Sequence, residues 1–120
     1  MMVQNALASV AVSNLSQSLA WYEKLLDAKP SRPMPEVGEW HFERGGGLQV
    51  YELPERAGEG SVTLAVNDLE PEIEHLNSLG IDTSHKTSGE KVRTVMITDP
   101  DGNHIAIAEA LPAGVISLIS

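Results

Sequence analysis

The chain contains no cysteine. Disulfides, thiolate metal sites and cysteine nucleophiles are therefore excluded. Aromatic residues are scarce at 4%, so a core drawn from the 42% hydrophobic residues must be mainly aliphatic. Positive charge is also in short supply: 8 Lys and Arg against 17 Asp and Glu give a net charge of −9. A surface of that sign repels phosphate backbones, which argues against a nucleic-acid partner. No apolar run approaches the roughly 20 residues of a membrane helix. The opening Met1-Met2-Val3-Gln4-Asn5 has neither the basic segment nor the long apolar stretch of a secretory signal. These absences predict a cytoplasmic protein with no membrane association. A length of 120 residues suits one domain spanning 1–120.

What is present is an internal repeat. Leu7-Ala8-Ser9-Val10-Ala11-Val12-Ser13-Asn14-Leu15 reads against Ser61-Val62-Thr63-Leu64-Ala65-Val66-Asn67-Asp68-Leu69 at a constant shift of 54 positions. The match continues with Leu19 against Ile73, Tyr22 against Leu76 and Leu25 against Leu79. One supersecondary unit is used twice. In each copy the hydrophobic period changes from two, the mark of a strand, to about 3.6, the mark of a helix. Asn14, with Gln17 three residues on, predicts a helix cap followed by the stripe Leu15, Leu19, Tyr22 and Leu26. Asp68 is the matching cap in the second copy. Pro71 lies in the tolerant first turn and Gly80 marks the stop.

Strand signals follow each helix. In the first half, Pro30 to Pro35 reads as irregular, Trp40-His41-Phe42 as a strand, Gly45-Gly46-Gly47 as a turn and Leu48 to Leu53 as a strand. In the second half, Asp82 to His85 reads as a short strand, Thr87 to Lys91 as a turn, Val92 to Thr98 as a strand, Asp99 to Asn103 as a tight turn and His104 to Glu109 as the last strand. The halves span 5–54 and 60–110, with an apolar tail at 111–120. That tail, including Val115, Ile116, Leu118 and Ile119, is expected to pack on the core or on a second subunit.

Val12-Ser13-Asn14-Leu15 with Ser18 and Trp21-Tyr22, and the closing Asp99-Pro100-Asp101-Gly102-Asn103, resemble two signature segments of the vicinal oxygen chelate superfamily. These are the glyoxalase, bleomycin-resistance and extradiol-dioxygenase proteins. The resemblance spans roughly residues 5 to 110. It implies an α+β fold of two βαβββ modules whose curved mixed sheets enclose a cleft, and a homodimer.

The resemblance also implies where a divalent metal would be held. Family enzymes take His, Gln or Glu ligands from the first strand and a late strand of each half. The corresponding positions here are Leu7, Ser61, Ala106 and Gln49, with Tyr51 as an alternative to Gln49 on the same face. Two of these side chains have no donor atom and a serine hydroxyl is a poor ligand, so the expectation is no metal and no cofactor. Of the four histidines, His41 is the one that alternation places opposite the rings of Trp40 and Phe42.

Small and mildly polar residues facing a concave sheet favour a ligand pocket. The candidate ligand-binding residues are Ser9, Trp40, His41, Gln49, Tyr51, Ser61, Thr63, Arg93 and Ala106. No serine has a histidine partner that the sequence can place, and no catalytic residue is assigned. The expected function is metal-free binding of a small organic molecule, with enzymatic activity left open. One alternative is a divalent-metal lyase, isomerase or dioxygenase with ligands recruited from His41, Gln49 and His104. The other is an interaction module with a vestigial cleft.

Overall fold

Strand alternation and helix capping place most of the elements. A computed structural model describes residues 1–110, and the expectation for the tail at 111–120 lies outside the described residues. The order is β1 (Ala8–Val12), α1 (Leu15–Leu26), β2 (Ser31–Met34), β3 (Val37–His41), β4 (Gly47–Glu52), β5 (Ser61–Val66), α2 (Leu69–Ser78), β6 (Lys86–Ser88), β7 (Val92–Thr98) and β8 (His104–Ala110). A single 3-10 turn at Pro54–Arg56 follows β4. The chain divides into two compact units, one of residues 1–60 with Asp99–Asn103 and the other of Ser61–Thr98 with the chain from His104.

Each unit is a helix on a four-stranded sheet, ordered β1-β4-β3-β2 in the first and β5-β8-β7-β6 in the second. β1 pairs parallel with β4 and β5 with β8, and the other pairs are antiparallel, so both sheets are mixed. The repeat seen in the sequence thus appears as the same topology twice over. Among the described residues no helix is long and apolar enough to cross a membrane.

Three strands depart from expectation, and β3 does so only in its bounds, running Val37–His41 where 40–42 was read. Pro30 to Pro35 was expected to be irregular, yet Ser31–Met34 forms β2. It lies on the edge of its sheet with an irregular register, where the missing amide of Pro33 costs no interior bond. In the second unit the short strand falls at Lys86–Ser88 and not at 82–85. Ser84 N–H is instead turned onto the Asp82 carboxylate, a local bond that competes with strand pairing.

In the first unit Val10, Val12, Leu48, Val50 and Trp40 are buried beneath Leu15, Leu19, Tyr22 and Leu25 of α1. In the second, Val62, Val95, Ile97, Ile105 and Ile107 do the same beneath Leu69, Ile73 and Leu76 of α2. Complete burial of one such aliphatic side chain stabilises by about 1.5–3 kcal/mol, and these two layers are the main driving force of each unit.

The helices begin as expected, with the Asn14 side chain accepting from Gln17 N and the Asp68 side chain from Glu70 N. Each start has a second acceptor that the sequence reading missed. Glu52, at the end of β4, accepts from Leu15 N at 3.0 Å, and Glu109, near the end of β8, accepts from Leu69 N at 2.8 Å. A carboxylate at a helix N-terminus satisfies an orphan amide and complements the macrodipole. The two units have arrived at the same device.

The Asp99–Asn103 turn does more than join β7 to β8. Asn103 is fully buried; its amide nitrogen donates to Ala11 O and to Asp99 Oδ2, and its oxygen accepts from Gly60 N. Asp99 Oδ2 also accepts the Tyr22 hydroxyl at 2.7 Å, while Asp99 Oδ1 accepts from the amides of Asp101 and Asn103. Asp101 in turn accepts from Ser13 N and Ser13 Oγ. The turn is a buried polar clamp in which each hydrogen bond of the Asp99 carboxylate is an accepted one, while the Asp99 N–H donates to Asn103 O.

Candidate functional site

One face of the first sheet packs under α1, and the other carries the polar groups. On that second face the register sets Ser9 against Gln49 and Gln49 against Glu39, one residue from each of β1, β4 and β3. Ser9 Oγ donates to Gln49 Oε1 at 3.1 Å, and Gln49 Nε2 donates to Glu39 Oε2 at 2.8 Å. His41, two residues after Glu39 on the same face, brings Nε2 to 3.3 Å from Glu39 Oε1. The result is a continuous polar row across three strands that ends on a carboxylate.

The direction of the bonds is set by charge. An inverted Gln49 amide would face its oxygen toward the Glu39 carboxylate, so the Nε2 end must point at Glu39 and Oε1 at Ser9. The same carboxylate favours the His41 tautomer with its proton on Nε2, which leaves Nδ1 as an acceptor. Glu39 is sheltered, with 18% of its side chain exposed, while 58% of His41 faces solvent.

The neighbouring row deeper along the same face is apolar: Ala11, Tyr51 and Val37 are cross-strand partners, with Tyr51 half-buried. Toward the other end, Gly47 stands beside His41, and a Cβ there would come within 3.3 Å of Leu7. The closer obstacle is the Trp40 carbonyl oxygen at 2.5 Å, so the absent side chain is what lets β3 and β4 approach here. The face therefore grades from apolar through the polar row to an open rim.

The second unit lacks this row. Its register sets Thr63 against Ala106 and Ala106 against Met96, which occupy the places of Ser9, Gln49 and Glu39. Ser61 and Thr63 are exposed and Ala106 is half-buried. This hydrogen-bonded row is therefore a feature of the first unit.

Two of the candidate ligand-binding residues lie on the helix-covered faces of their sheets. Trp40 is buried beneath α1, its Nε1 donating to Ala28 O at 2.8 Å and its ring 6.1 Å from that of Tyr22. It alternates with Glu39 and His41, so it must occupy the opposite face. Arg93 alternates in step with Val95 and Ile97 and lies on the α2 face. There it pairs with Glu109 at 2.9 Å and Glu70 at 3.3 Å. The Leu69 amide, followed by Arg93, holds the Glu109 carboxyl below its ordinary range. Ser9, His41, Gln49 and Tyr51 share the face of the polar row, and the structure adds Glu39, which sequence reasoning missed. Its signal was the two-residue spacing from His41.

The family's divalent ion finds no matching donor set here. Leu7 and Ala106 carry no donor, Ser61 offers a neutral hydroxyl, and Gln49 Oε1 already accepts from Ser9. Among the described residues no three His, Asp or Glu side chains converge as metal ligands. Ser9 is not an activated nucleophile either, since its hydroxyl donates to an amide oxygen, which is not a base.

Comparison with known proteins agrees with the topology. The family model of the Glyoxalase/Bleomycin resistance protein/Dioxygenase superfamily matches residues 4–107. The chain belongs to this superfamily. A solved glyoxalase/bleomycin resistance protein from Catenulispora acidiphila is 36% identical, with a TM-score of 0.81 over 92% of this chain and 100% of that one. TnmS3, an antibiotic binding protein from Streptomyces sp. CB03234, is 19% identical with a TM-score of 0.78, over 92% of this chain and 98% of that one. A glyoxalase/bleomycin resistance protein from the same Streptomyces is 21% identical with a TM-score of 0.75, over 88% of this chain and 100% of that one. The two Streptomyces likenesses bear on the fold alone. No curated protein matches the chain.

Proposed function

We propose that this superfamily member binds a small organic molecule without a metal, on the face of the first unit that carries Ser9, Gln49, Glu39 and His41. The observation that carries this reading is the row itself. It is a pre-oriented set of polar groups on a strand face, held by rigid elements, beside the half-buried Tyr51, whose cross-strand partners Ala11 and Val37 are buried. A few fixed polar groups next to apolar surface are the usual composition of a small-molecule site. The loss of donor atoms at Leu7 and Ala106 supports a metal-free mode. The likeness in fold to TnmS3, an antibiotic binding protein, supports such a reading.

The mechanism needs only binding. Ser9 holds Gln49, Gln49 holds Glu39, and the aligned groups fix the orientation of a ligand whose apolar part lies against Tyr51. Melting of the full chain across a library of small organic molecules, in the presence of a chelator, tests the proposal. Ligands that raise the melting temperature, with the rise reduced by Glu39→Gln or Gln49→Ala, are expected. Stabilisation that appears only when a divalent ion is restored would refute it. The homodimer implied by the family belongs to the same proposal and is read by light scattering of the full chain.

A further inference from the structure

The donors of the polar row are consumed inward. The Ser9 hydroxyl proton goes to Gln49, one Gln49 amide proton goes to Glu39, and the His41 Nε2 proton faces Glu39. What remains unspent is mostly acceptor capacity: the lone pairs of Ser9 Oγ, the remaining lone pairs of both Glu39 oxygens, and His41 Nδ1. A single amide proton of Gln49 is the exception. The carboxylate is sheltered, and the imidazole beside it is not a permanent cation. A sheltered carboxylate gains most from a partner that brings both charge and hydrogen-bond donors.

We propose that the ligand presents a protonated amine or a comparable cationic donor to Glu39, with an aromatic or other flat apolar portion against Tyr51. Gln49 is a positioning residue in this account: it sets the plane of the Glu39 carboxylate, and Ser9 sets Gln49. The second unit, with Thr63, Ala106 and Met96 at the equivalent register, has no counterpart of this cation site. The net charge of −9 helps to draw a cation toward the chain. This inference rests on the proposed metal-free binding at the same face and specifies its ligand class.

The test uses the full chain in chelator, followed by amide chemical shifts, with three matched probes: 2-phenylethylamine, 2-phenylethanol and 3-phenylpropanoate. The amine is expected to bind saturably, perturbing Ser9, Glu39 and Gln49, and to bind about tenfold or more tighter than the alcohol. The carboxylate is expected not to bind. Glu39→Gln, a near-isostere whose folding is checked by its melt, should abolish the amine's advantage, so that the amine binds the variant no tighter than the alcohol does. Gln49→Ala should weaken the amine while Glu39 keeps its charge. Equal binding of amine and alcohol, or an amine affinity unmoved by Glu39→Gln, overturns the cation inference and leaves metal-free binding standing. Binding of the probes only after a divalent ion is added overturns both. Saturation by none of the three, with or without the ion, overturns the cation inference.

Discussion

Removing the Tyr22 hydroxyl tests whether the Asp99–Asn103 turn is a buried clamp or merely a connection. Tyr22 and Asn103 have no exposed surface and Asp99 has 5%, so water cannot replace a lost partner without reorganisation. Tyr22→Phe deletes one hydrogen bond to a carboxylate, at 2.7 Å, and leaves the ring packing in place. A bond to a charged acceptor contributes about 1.5–3 kcal/mol, so a loss near 2 kcal/mol is expected. For a chain of this size that corresponds to a melting temperature lower by about 8 °C. Asn103→Ala removes three bonds and strands the Gly60 amide and the Ala11 carbonyl, for about 3–5 kcal/mol. Both substitutions unload the same Asp99 oxygen, so the double variant should depart from additivity. The assay is equilibrium unfolding in urea with a common m-value. A Tyr22→Phe variant within about 0.5 kcal/mol of the parent would refute the clamp.

The same tyrosine predicts a dependence on alkaline pH. Burial first, and the Asp99 hydrogen bond second, push its pKa far above the ordinary value of 10.0. A group raised on folding contributes stability that is full below its unfolded pKa and is lost as pH rises beyond it, so stability should fall above about pH 10. In Tyr22→Phe this decline should be shallower, as read by urea unfolding at stepped pH. For Glu109 the sign is opposite: its folded pKa is lowered from 4.5, so its contribution is present above that pH and disappears below it. Glu109→Gln should flatten the acid limb of stability, and an unchanged acid limb would contradict the Leu69 and Arg93 contacts. Gly38→Ala drives a Cβ to 2.5 Å from a Leu19 methyl beneath α1 and should cost about 1–3 kcal/mol by overpacking. Asp27 ends α1 at φ 52, a left-handed conformation that glycine adopts freely. Asp27→Gly should therefore be neutral or stabilising by up to about 1 kcal/mol in a thermal melt.

Repeat and period carried most of the fold. The shift of 54 aligned β1 with β5 and α1 with α2 because both copies kept their capping side chains and their apolar stripes. β2 was hidden because Pro33 argues against a strand, and only its edge position, a property of the folded sheet, makes it acceptable. The polar row was half legible. Alternation put Ser9, Gln49, Tyr51 and His41 on one face, but the pairing of Gln49 with Glu39 depends on the β3–β4 register. The turn after β3 holds three consecutive glycines, and such flexible sequence leaves the register undetermined. Alternation, applied strictly, would have moved Trp40 and Arg93 to the helix faces, since Trp40 neighbours His41 and Arg93 keeps step with Val95 and Ile97. The strand-end carboxylates of Glu52 and Glu109 were present in both copies at the same spacing from Leu48 and Ile105. Their role as helix caps needed the contact with α1 and α2 to be seen.

The proposed mode of a superfamily member with Leu7, Ser61 and Ala106 at the metal positions is binding through its polar row without a metal. Elemental analysis of the full chain, purified without a metal-affinity step, tests it most directly. Zinc, nickel, manganese and iron are expected far below one atom per chain, unchanged by His41→Ala or Gln49→Ala. One stoichiometric metal that is lost on either substitution would contradict it.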